Sequence, residues 1–119
     1  MDADNVLLDF DVINSLKELG GDEGDAFLKE IIDLYDNQYP ELFNNIRINA
    51  SLRDPLKLSQ AAHALKGASL NIGAKELAAV CKEIEINGKE NNLQPIPDMI
   101  YLLEEIHKET MKAIKEIIR

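Results

Sequence analysis

Nowhere in this chain do apolar and polar residues alternate long enough to make a β-strand. Apolar side chains recur instead every three or four residues, the spacing of one helical face. Asp9 can cap a leader in which Val12, Ile13, Leu16 and Leu19 share a face, and Gly20-Gly21 end it. A long second segment carries Phe27, Ile31, Leu34, Tyr35, Leu42 and Ile46 as its apolar stripe, with Pro40 expected to kink or divide it. Asp54-Pro55 opens a third helix as N-cap and first helical residue, running to about Asn71. A fourth spans Ala74 to about Glu85, closed by the turn-forming NGKENN. After Pro95 and Pro97, Asp98 can cap a last helix reaching nearly to Arg119. The reading is an all-α fold: an antiparallel four-helix bundle with a short extra N-terminal helix across one end. Residues 1–119 form one domain, the leader at about 9–20 and the bundle at about 23–119.

Composition agrees. Aromatic residues are only 5% of the 119 and tryptophan is absent, so the core must be built mainly from Leu, Ile, Ala and Val. The lone Cys81 allows no internal disulfide, which points to a reducing compartment and a cytoplasmic protein. No apolar run approaches the roughly 18 residues of a membrane span, and the MDADNVLLDF start has acids where a signal peptide would have bases. The net charge of −9 falls within the first 36 residues, where eleven acids face Lys17 and Lys29. Such a chain is a poor nucleic-acid ligand. Between Arg53 and Lys75 the balance reverses: Arg53, Lys57, Lys66 and Lys75 face Asp54 alone.

That positive island contains AAHALKGASLNIGAK (61–75). At 100° per residue, Ser59, Gln60, Lys66, Gly67 and Leu70 fall on the His63 side, and Leu56 joins it two turns earlier. Leu58, Ala61, Leu65, Ala68 and Ile72 lie opposite and form the core stripe. His63 therefore faces away from the core. Gly67, costing about 1 kcal/mol relative to alanine inside a helix, leaves space beside the imidazole for another molecule. Leu56 and Leu70 put apolar contacts on either side of it.

Other chemistries lack support. The only other histidine, His107, shares a stripe with Leu103, Ile114 and Ile117 as a partly buried structural residue, and Cys81 sits among core positions, so no metal site and no cofactor are expected. There is no nucleophile elbow and no phosphate loop. Neutral imidazole, however, is nucleophilic and can hold a phosphoryl group as a phosphoramidate. Lys66, three residues on, can reach such a group with its ammonium. The pattern fits a carrier whose partner supplies the catalytic apparatus.

His63-Ala64-Leu65-Lys66-Gly67, followed by Gly73, Leu77, Cys81 and Glu85, closely resembles the histidine-containing phosphotransfer (HPt) domain. GGDEGDAFLKEIIDLY also looks like the start of such domains, so the resemblance covers nearly the whole chain. It implies phosphorylation of His63 on Nε2, support of the phosphoryl group by Lys66, and partner access at Gly67 and Gly73. It further implies a cytoplasmic histidine phosphocarrier of a multistep two-component phosphorelay, not an autonomous enzyme. Its partners would be response-regulator receiver domains and a hybrid sensor histidine kinase, with magnesium held by the receiver. Leu56, Ser59, Gln60, Leu70 and Asn71 are the expected partner surface. Ala64 stands where histidine kinases usually have an acid, which argues against self-phosphorylation. Two alternatives stay open: a phosphorylatable domain of a chemotaxis-type kinase, and a helical adaptor that never carries phosphate. A monomer is expected, since no coiled-coil seam is visible.

Overall fold

A computed structural model describes residues 6–118; Met1–Asn5, with two of the leading acids, and Arg119 lie outside the described residues. Five helices run in order: α1 (Phe10–Leu19), α2 (Gly24–Ser51), α3 (Pro55–Asn71), α4 (Lys75–Lys89) and α5 (Ile96–Ile117), with a single 3-10 turn at Gly21–Glu23. No strand occurs among the described residues. Helix α2 packs on α3, α3 on α4 and α4 on α5, and α5 closes against α2, forming a four-helix bundle. The 28 residues of α2 rise ~42 Å, close to the 47 Å long axis of the molecule.

Local signals account for most helix ends. Asp9 caps α1 by accepting from the Asp11 amide at 3.0 Å. Asp54 caps α3 by accepting from the Lys57 amide at 3.1 Å, with Pro55 at the first position. Such caps contribute about 1 kcal/mol each.

Five boundaries or stripes differ from expectation. Pro40 does not divide α2, which continues through it; the proline is exposed, so water can satisfy the carbonyl it leaves unpaired. The buried line of α2 is Leu28, Ile32, Tyr35, Phe43 and Ile46, while Leu34 is exposed. The pairs Phe27-Leu28, Ile31-Ile32 and Leu42-Phe43 are each apolar twice over, so rotation against neighbouring helices decides which member turns inward. On α3 the stripe is Leu58, Ala62, Leu65, Ser69 and Ile72, with Ala61 and Ala68 half-buried. Helix α5 begins at Ile96, so Asp98 stands inside its first turn and makes no capping bond.

Helix α4 runs one turn further than its sequence suggests. Gly88 is helical because it lies at a close crossing: a Cβ there would stand 3.1 Å from the Pro55 carbonyl oxygen and 3.2 Å from the Ser59 amide nitrogen. The chain turns only after Lys89, with Asn91 at φ +56°. This extra turn brings Lys89 to the face that carries His63.

Candidate functional site

His63 rises from the middle of α3, its side chain 67% exposed. Leu56 and Leu70, both exposed, flank it two turns away on either side, about 10 Å along the axis in each direction. Gln60, Gly67 and Asn71 are exposed on the same helix, and a Cβ added at Gly67 meets nothing within 4 Å. A groove of about 530 Å³ lies between α2 and α3, lined by Leu34, Gln38, Leu42, Ala68 and Ala64, the residue that follows His63.

The imidazole is anchored across the helix pair. Its Nδ1 lies 3.0 Å from Oε2 of Glu85 on α4. The Lys66 ammonium donates to Glu85 Oε1 at 2.8 Å, and the Lys89 ammonium lies 3.3 Å from Oε2. Glu85 is buried, 6% exposed, so its carboxylate is the fixed centre of the group. Burial alone would raise its pKa. Hydrogen bonds from Lys66, Lys89 and His63 outweigh that and hold the carboxyl down at about 2. An ionised carboxylate can only accept, so the shared proton sits on His63 Nδ1 and the neutral ring keeps its lone pair on Nε2. That nitrogen is the nucleophilic one.

Two expected site residues are elsewhere. Ser59 is buried, 3% exposed, because the Gly88 crossing draws α4 over the first turns of α3; it is not on the exposed face. Gly73 is also buried, in the α3–α4 turn at φ +76°. Its carbonyl accepts from the Asp9 amide at 2.7 Å, and a Cβ there would approach the Asp9 carbonyl oxygen to 2.9 Å. It therefore seats α1 against the bundle and makes the turn, and leaves no passage for a partner. Glu85 and Lys89 were absent from the expected site. The signal for Glu85 was present: it follows Leu77, Cys81 and Ile84 on a core-facing arc, where an acid needs a compensating partner.

Cys81 and His107 take no part. The Cys81 thiol is buried and burial pushes it up to about 12. His107 stacks on Tyr39, ring centroids 3.4 Å apart, and burial lowers its pKa to about 4 against the opposing pull of Asp36. Among the described residues no cluster of His, Cys, Asp and Glu could hold a metal ion, and no helix is long and apolar enough to cross a membrane.

The chain has counterparts among known proteins. The model of the Hpt domain matches residues 30–114. The chain is 31% identical over 85 residues to "Multistep phosphorelay regulator 1" of Schizosaccharomyces pombe, an alignment covering 71% of this chain and 29% of the relative. It is 27% identical over 89 residues to "Phosphorelay intermediate protein YPD1" of Candida albicans, covering 75% and 48%. It thus spans less than half the length of both curated relatives. Histidine-containing phosphotransfer protein B from Pseudomonas aeruginosa superposes with a TM-score of 0.77 at 29% identity, covering 93% of each chain. With the bundle and the exposed histidine already in place, the family match settles its kinship: this chain belongs to the Hpt domain family.

Proposed function

We propose that this protein is a histidine phosphocarrier, taking a phosphoryl group on His63 Nε2 from a receiver-domain aspartate and returning it to another. The observation that carries this reading is the pairing of Nδ1 with Glu85 at 3.0 Å on a side chain 67% exposed. One ring nitrogen is committed to the protein and the other is left for a partner. The relatives named for phosphorelay roles support the same reading.

The Nε2 lone pair attacks phosphorus in line; the N–P bond forms as the P–O bond to the donor aspartate breaks, and that carboxylate leaves with the electron pair. The ring, still protonated on Nδ1, becomes an imidazolium, whose charge Glu85 opposes directly. No proton need move. In the return transfer the N–P bond breaks with its electron pair kept on Nε2, so the ring departs as neutral imidazole, a good leaving group. Lys66 and Lys89, both held on Glu85, are placed to turn toward the phosphoryl oxygens. Positioning by the receiver, together with the receiver's own magnesium, completes the machinery, so the chain acts as a carrier and not as an enzyme in its own right.

Receiver docking is supported by exposed Leu56, Gln60, Leu70 and Asn71, the open space at Gly67, and the α2–α3 groove. Incubation with a phosphorylated receiver or hybrid kinase, read by intact mass, should give an acid-labile adduct absent from His63→Gln. Tight binding of phosphorylated receivers without an adduct would favour a helical adaptor. Phosphorylation only by a separate ATP-bound kinase module would favour a chemotaxis-type domain.

A further inference from the structure

At the end of the bundle away from α1, the α2–α3 turn and the α4–α5 connection leave a cavity of about 330 Å³. Leu58 and Ile96, both fully buried, form its floor, and Leu93, Pro97 and Ile100 its apolar wall. Its volume lies at the lower end of the roughly 300–1,000 Å³ of small-molecule pockets.

The cavity's polar side is of one sign. Arg47 and Arg53 line it, and no acid does among the described residues. Neither guanidinium is in any ion pair there. The chain has only three arginines against 22 acids, and two of the three line this one cavity. The neighbouring Asp54 is committed to capping α3, accepting from the Lys57 amide. Arg53 also follows the C-cap of α2 in a left-handed conformation, φ +53°, where glycine or asparagine is the usual residue. A bulky side chain is disfavoured there, and no side-chain hydrogen bond or ion pair of Arg53 among the described residues offsets it.

We infer that this cavity binds a small amphiphilic carboxylate, its apolar body between Leu58, Ile96 and Ile100 and its carboxylate on Arg47 and Arg53. Arginine forks match a carboxylate with two parallel hydrogen bonds, which a point-charge ammonium does not. The site is separate from the phosphoryl face: Leu58 stands about 140° around α3 from His63. Occupancy therefore leaves the imidazole free.

Octanoate titrated into the isotope-labelled full chain, followed by backbone amide NMR, tests this directly. Saturable shifts are expected at Arg53, Leu58, Leu93, Ile96 and Ile100. The exposed pair Arg47→Gln/Arg53→Gln should weaken binding at least tenfold, and octanol should bind at least tenfold more weakly than octanoate. Ile100→Trp, which fills the cavity from its rim, should abolish the shifts while leaving both arginines in place. Absence of saturable shifts, equal affinity for octanol, or an unchanged affinity in the double arginine variant would each overturn the assignment.

Discussion

His63 and Glu85, 22 residues apart, meet across α3 and α4 with Nδ1 3.0 Å from Oε2. One buried carboxylate thereby orients the imidazole, fixes its tautomer and holds two lysines beside it.

Replacing Glu85 should slow transfer more than it perturbs the fold. Glu85→Ala is expected to reduce single-turnover transfer to and from a receiver by about 10- to 100-fold, the equivalent of the 1.5–3 kcal/mol of a charged hydrogen bond. Glu85→Gln, which keeps an acceptor, should recover part of that. Imidazole nitrogen NMR supplies an independent readout: neutral wild-type His63 should be protonated at Nδ1, and Glu85→Ala should populate the Nε2–H form. A wild-type ring protonated mainly at Nε2 would contradict the arrangement.

Lys66 and Lys89 share one carboxylate but differ in exposure, the Lys66 side chain at 23% and Lys89 at 65%. Lys66→Ala should slow phosphorylation of His63 by about tenfold or more, since a charge-assisted contact to the phosphoryl group is lost. Lys89→Ala should cost only a few-fold, its solvated ammonium contributing less. Equal transfer rates for wild type and Lys66→Ala would remove Lys66 from the site.

The two glycines of the sequence motif should separate cleanly in a stability assay. Gly67→Ala meets open space on an exposed helix face and should stabilise the fold by up to about 1 kcal/mol in urea denaturation. The same change should weaken transfer by narrowing access to His63. Gly73→Ala demands a left-handed alanine and a 2.9 Å approach to the Asp9 carbonyl oxygen. It should destabilise by about 2 kcal/mol or more and loosen α1.

His107 should make the fold acid-sensitive before the carboxylates do. Its folded pKa of about 4 lies below the ordinary 6.5 because burial disfavours the imidazolium. The unfolded chain therefore binds a proton that the folded chain refuses over this interval. Stability present above pH 6.5 is lost as pH falls toward 4, on the order of 2 kcal/mol by pH 4.5. Glu85 has the same sign but a lower window, from its ordinary 4.5 down to about 2. Urea denaturation at pH 7 and pH 4.5 should show the loss in wild type and a smaller one in His107→Gln.

Much of this protein was legible as sequence because the signals are local. Helical spacing, Asp9, Asp54-Pro55 and the Gly20-Gly21 stop act within a few residues, and the structure keeps those boundaries. The exposure of His63 and Gly67 was likewise a matter of angles around one helix. What depends on contact between helices was not legible. Adjacent apolar pairs left the rotation of α2 open, and the close crossing at Gly88 both extended α4 and buried Ser59. Only the packing of α3 on α4 set Glu85 beneath His63 and Lys66, because 22 residues of chain impose no distance until two helices are pressed together. Periodicity determined which helices form and which face of α3 is open; tertiary packing decided which groups meet there.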